Sequence, residues 1–149
     1  MTTLGHLAHV LGFVLWLGGG LAGMVIGLRG RSEDRAIQGA VTRLQAALNR
    51  RLMVPGALLT VISGIYLSIP AANAGFPSAW LMVMQGAGLV AALLVLFVVN
   101  PTITRLAHLD PIGETAALFD RLRRRHTVAA MIAGNLGLLS LIAGVLHRY

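Results

Sequence analysis

The chain has no cysteine, no lysine and only five acidic residues in 149. Without cysteine there is no disulfide framework, no thiolate metal site and no covalent haem attachment through a C-x-x-C-H motif. Glu33, Asp34, Asp110, Glu114 and Asp120 all fall outside the long apolar runs. Those runs hold neither the carboxylate chain that a proton relay wants nor a nucleophile with its base, which sets aside hydrolysis. In the absence of lysine, arginine carries all 12 basic charges and the net charge of +7.

What is present is apolar. Hydrophobic residues make up 56% of the chain and charged ones 11%, with a mean hydropathy of +0.78; this is a membrane composition. Four stretches, near 4–28, 52–70, 79–104 and 127–147, reach the length of about 20 helical residues that crosses a hydrocarbon core. The first has no positive n-region and no A-x-A-like cleavage site, so it reads as a retained span rather than a signal peptide.

The arginines form two blocks. Arg29, Arg31, Arg35, Arg43, Arg50 and Arg51 lie between spans one and two, and Arg105, Arg121, Arg123, Arg124 and Arg125 between spans three and four. The positive-inside rule makes both blocks cytoplasmic and both termini external, in a bacterial inner (cytoplasmic) membrane. The blocks have no interleaved aromatics and sit against membrane ends, which is the pattern of topology signals and not of a nucleic-acid surface.

Both inner segments are predicted to carry helix. In AIQGAVTRLQAALNRR, Ile37, Val41, Leu44 and Leu48 recur at helical spacing, so span two begins as a helix before the membrane and meets Pro55 near its boundary. Asn100-Pro101 marks the inner end of span three. Before span four, Asp110 is the expected N-cap and Pro111 the first helical residue, with Leu118, Phe119 and Leu122 on one face. The expected fold is one all-α domain over 1–149, an integral membrane four-helix up-and-down bundle with cytoplasmic helix extensions.

Helices in lipid associate by close packing of small residues. Gly19, Gly23 and Gly27 repeat every four residues in span one, and Gly56, Thr60, Gly64 and Ser68 do so in span two. These grooves meet either each other or a second protomer; a homodimer through the Gly19, Gly23 and Gly27 face is the expectation.

Topology sorts the five histidines. His108 and His126 fall at the inner end among arginines, as solvated flanks. His6, His9 and His147 fall in the outer half, and His9, seven residues ahead of Trp16, lies deepest. An ionisable residue within a span is a functional candidate by default. A neutral imidazole suits metal or haem-iron ligation, since b-type haem needs only axial side chains and an apolar slot lined by glycine and aromatics. Copper held by His6, His9, Met82 and Met84 is the rival, and a structural histidine without any cofactor is the third reading.

In order and spacing, these residues resemble a superfamily of small four-span bacterial membrane proteins. It includes the HemJ-type protoporphyrinogen oxidases and the membrane domain of the copper-resistance protein D family. The resemblance rests on His9, Trp16, Gly18 and Gly19 in span one. In span two it rests on Arg50, Arg51, Leu52, Pro55, Thr60 and Gly64, and in span three on Trp80-Leu81. It implies a haem b site with His9 as the ligand from span one, and it brings oxidation of protoporphyrinogen IX as a possible reaction. Three departures concern that reaction: Met84 stands where HemJ-type proteins place a basic residue, no arginine falls between Met24 and Leu28, and RRRHTVAAM replaces their Asn-Glu pair. The leading expectation is therefore a b-type haem-binding redox protein, with His9 and His147 as axial ligands, Trp16 beside them, and His6 or Met84 as replacement ligand. A HemJ-like porphyrinogen oxidase comes second, and a copper-handling or structural membrane subunit without haem third.

Overall fold

The computed structural model describes residues 2–73 and 78–146. It is all-α, with no strand among the described residues. Four of its helices are long and apolar enough to cross a membrane. Helix α1, Thr2–Arg29, crosses to what we call the arginine end. A short 3₁₀ turn, Gly30–Ser32, leads from there into α2, Arg35–Leu48. A π turn over Asn49–Met53 carries the chain without a break into α3, Val54–Asn73, which returns to the histidine end. Helix α4, Ala79–Leu94, starts where the Ser78 hydroxyl accepts the Leu81 N–H at 3.2 Å. A second π turn, Val95–Val99, continues it into α5, Asn100–Ala107, and α6, Ala116–Leu146, makes the last crossing.

Each π turn sits just ahead of a proline, Pro55 in one case and Pro101 in the other. A proline inside a helix removes one N–H and crowds the preceding turn, and an i→i+5 turn absorbs both effects. Asn100-Pro101 is thus not the end of the third span's helix, which runs on to Ala107. The start of α6 also differs from expectation. Asp110 caps a turn, its carboxylate accepting the Ile112 N–H at 2.9 Å. Gly113 takes a positive φ of 77°, so the α-helix begins only at Ala116.

Helix α1 packs along α3 and α4 along α6, giving two hairpins. They meet at Trp16, which is 5% exposed in a cradle of Ala57 from α3, Ala91 and Ala92 from α4, Val95 and Ala133 of α6. The cradle is alanine because only a small residue lets four helices close on one indole. Large apolar side chains point the other way: Leu7, Val14, Ile62, Ile65, Phe97 and Ile142 are all exposed, as lipid-facing residues should be. At the arginine end Ile103, Leu106, Phe119 and Leu122 form a separate core between α5 and α6, while Leu118 turns outward.

Helix α2 has the expected period but buries a different face. Ile37 and Leu44 are exposed, and Gly39, Thr42 and, at the π turn, Asn49 are buried. Small residues on that face let α2 lie close to α5 and the turn beyond it; a Cβ on Gly39 would stand 3.3 Å from the Pro111 ring.

Candidate functional site

The site is built on a seam along α1 in which intervals of four and three alternate: Gly5, His9, Gly12, Trp16 and Gly19. That is the register with which one helix lies against another at a shallow angle. A Cβ on Gly12 would be 2.8 Å from the Thr60 nitrogen, and one on Gly56 would be 2.6 Å from the Trp16 nitrogen. Backbone therefore touches backbone at the Gly12–Gly56 crossing, and any side chain there would force the helices apart.

One turn further toward the histidine end, this closeness brings His9 onto α3. Its Nδ1 lies 2.9 Å from the Thr60 carbonyl oxygen and 3.2 Å from the Ser63 hydroxyl. The ring rests on Gly64, where a Cβ would be 3.1 Å from the imidazole Cε1. The Ser63 hydroxyl proton is spent on helix carbonyls of its own helix, Leu59 and Thr60. Both neighbours of Nδ1 are consequently acceptors, so Nδ1 carries the proton and Nε2 keeps its lone pair. A backbone carbonyl behind Nδ1 is also the partner that orients a metal-ligating histidine.

The polar track continues along α3. The Thr60 hydroxyl donates to the Gly56 carbonyl at 2.8 Å, and the Ser68 hydroxyl donates to that of Gly64 at 2.7 Å while accepting from Gln85 Nε2 of α4 at 2.6 Å. The stripe Gly56, Thr60, Gly64 and Ser68 is thus taken up within the chain. On α1, Gly19 faces Leu52 and Met53, and Gly27 lies against Gln45, whose amide donates to the Gly23 carbonyl at 2.7 Å. A Cβ on Gly23 would meet nothing within 4 Å.

The other expected ligands are placed differently. His6 is exposed one turn before His9. His147 lies outside the described residues. Met84 belongs to the second hairpin: its sulfur lies 2.9 Å from where a Cβ on Gly144 would stand, and its carbonyl accepts from Ser140 at 2.8 Å. Met82 points outward. Trp16, expected beside the histidine in a cofactor slot, fills the middle of the bundle, edge-on to Phe13 with ring centres 6.1 Å apart. Among the described residues no group of three or more His, Cys, Asp or Glu side chains is placed to hold a metal ion.

Sequence reasoning passed over one polar pair. Asn49 Nδ2 donates to Asn100 Oδ1 at 2.8 Å, joining the two π turns, and Asn49, 2% exposed, keeps an Oδ1 without a partner. The signal was available: Asn49 sits six residues ahead of Pro55 and Asn100 directly before Pro101, each near a membrane boundary. At the same end, Asp120 accepts two hydrogen bonds from Arg35, at 2.8 and 3.0 Å, and pairs with Arg123 at 3.2 Å. The hydrogen bonds from Arg35 hold the Asp120 carboxyl below the usual carboxylate range. His108 borders a cleft of about 400 Å³ between α2 and the turn after α5, and His126 is partly buried.

Over residues 3–146 the chain matches the family described as predicted integral membrane protein (DUF2269), and it belongs to that family. No curated protein and no solved structure matches it significantly.

Proposed function

We propose that this member of the DUF2269 integral membrane family binds haem b and serves in electron transfer, with His9 supplying one axial ligand. The observation that carries the proposal is the His9 ring itself, whose Nδ1 is tied to the Thr60 carbonyl at 2.9 Å so that Nε2 is left as a base. The donor chemistry fits: a neutral imidazole, oriented from behind by a carbonyl, in a chain with no thiolate or span carboxylate to compete. Haem bound there would supply one-electron chemistry at a potential set by its axial ligands and surroundings. The chain's own part is to fix the tautomer through Thr60 and Ser63 and to seat the ring against Gly64. His147, or His6, is the proposed second ligand. The porphyrinogen oxidase reaction remains the enzymatic form of the same proposal, although Met84, in the position of a basic residue in HemJ-type proteins, packs on α6.

The arginine blocks support placing both termini outside the bacterial inner membrane. The Gly23 face, open for 4 Å around a Cβ, is the part of the α1 glycine run left for a homodimer.

A specific observation favours a second reading. The same His9 hydrogen bonds sit one turn from the Gly12–Gly56 crossing, so His9 also serves as an interhelical tether in a cofactor-free membrane subunit. Absorption spectroscopy separates the two. Protein expressed with a haem supply and purified in detergent should show a Soret band, and His9→Ala should abolish or shift it. A tether alone predicts no band in the wild type and a less stable variant.

A further inference from the structure

The geometry points to a binding site for an anionic phospholipid in an open groove of about 480 Å³ at the arginine end, between α6 and the junction of α4 with the π turn that follows it. The site is distinct from His9 and rests on none of the reading above. Its α6 wall is a single stripe: Arg121, Arg124, Arg125, Val128, Ala129 and Ile132 follow at intervals of three and one, and so share a helix face. The opposite wall is Leu94 and Val98. Along the stripe the chemistry changes once, from three guanidinium groups to an apolar floor, and the change falls at the boundary where the fourth span begins.

Charge decides the occupant. Asp120 is the acid nearest in sequence, and it is already held by Arg35 and Arg123, which lie off this stripe. Among the described residues Arg121, Arg124 and Arg125 have no ion pair or hydrogen bond, and all three are exposed. Three positive groups repel a choline ammonium and accept a phosphodiester, for which guanidinium is the matching donor. A free phosphate would leave the floor uncovered, whereas an acyl chain running past Val128 and Ile132, both about half exposed, would cover it. A membrane-boundary groove with basic rim and apolar floor is the form in which multi-span proteins hold anionic headgroups.

The test uses the full chain in mild detergent, with bound lipid counted by native mass spectrometry. The probes are phosphatidylglycerol, phosphatidylcholine and glycerophosphoglycerol, which is the headgroup without chains. Phosphatidylglycerol should bind at least about tenfold more tightly than phosphatidylcholine, and the headgroup alone should not bind at those concentrations. Replacing both Arg124 and Arg125 with glutamine should weaken phosphatidylglycerol binding about fivefold for each arginine lost. Arg50→Gln with Arg51→Gln removes the same charge at the same boundary but outside the groove, and should leave binding unchanged. Val128→Trp keeps every arginine and fills the floor; it should also lose the lipid, and it carries the test should the arginine variant fail to fold. Equal binding of the two lipids, equal loss in both arginine pairs, retention by Val128→Trp, or headgroup binding as tight as that of the lipid would each overturn the proposal.

Discussion

The two ends of the bundle are joined by different means. At the arginine end the hairpins are bound to each other: Asn49 reaches Asn100 across the two π turns, Arg35 reaches Asp120 from α2 to α6, and Arg123 donates to Gln38 of α2. At the histidine end polar contacts lie both within the hairpins and, from Gln85 to Ser68 at 2.6 Å, between them. His9 is held by Thr60 and Ser63, and Met84 by Ser140, with Gln85 to Ser68 as the bond between them. Trp16 stands where the two regimes meet. The difference separates an end braced from hairpin to hairpin by arginine and asparagine from an end whose bonds also seat His9 and Ser140 within their own hairpins, the end at which the cofactor is proposed.

Removing the joint should have the largest effect. Trp16→Ala empties the alanine cradle and should cost about 3–5 kcal/mol, as for other buried tryptophans, with loss of protection from denaturant in both hairpins. Unfolding confined to one hairpin would break the comparison, because Trp16 would then belong to that hairpin alone. Gly56→Ala comes next. A Cβ 2.6 Å from the Trp16 nitrogen and 2.7 Å from the Gly12 carbonyl meets backbone, which cannot rotate away. The cost should be about 1–3 kcal/mol, and amide exchange should rise in α1 and α3 but not in α5. A variant as stable as the wild type would mean that the α1–α3 crossing is looser than described.

The smallest effect is expected from Asp120→Asn. Asp120 and Arg35 are exposed and outside the spans, where ion pairs are weak. The sign is fixed nonetheless. The folded carboxyl titrates below its unfolded value of 3.8, so the pair stabilises at pH above that value and the contribution is lost as pH falls through the folded pKa. The variant should match the wild type in acid and fall slightly behind it at neutral pH, in thermal unfolding followed by circular dichroism. A variant more stable at neutral pH would show that the arginine end does not use this pair as a brace.

Spans and fold class were legible because lipid imposes them: four apolar runs of sufficient length leave helices as the way to satisfy their backbone. The α2 period was legible too, but its buried face was not. Ile37 and Leu44 are the obvious apolar residues, yet both are exposed, and the close approach is made by Gly39 against Pro111 in the turn after α5. The interval-four run Gly19, Gly23 and Gly27 is conspicuous in the sequence, but a Cβ on Gly23 would meet nothing within 4 Å. The seam actually used, Gly5, His9, Gly12, Trp16 and Gly19, alternates four and three and includes two large residues, so glycine spacing alone misses it. His9 was legible as a lone imidazole in an apolar run. Its partners were not, since serine or threonine hydroxyls occur in each of the other three spans and helix carbonyls in all of them, and only the Gly12–Gly56 contact selects Thr60 and Ser63.

The account turns on which nitrogen of His9 holds the proton, and this is measured directly by nitrogen-15 magnetic resonance of ¹⁵N-histidine-labelled protein in bilayers at neutral pH, with His9→Ala to assign the signal. The account predicts a neutral ring protonated at Nδ1, with an unprotonated Nε2 that shifts when haem is added. A ring protonated at Nε2, or at both nitrogens, would contradict it, because Nε2 would then have no lone pair to offer a metal.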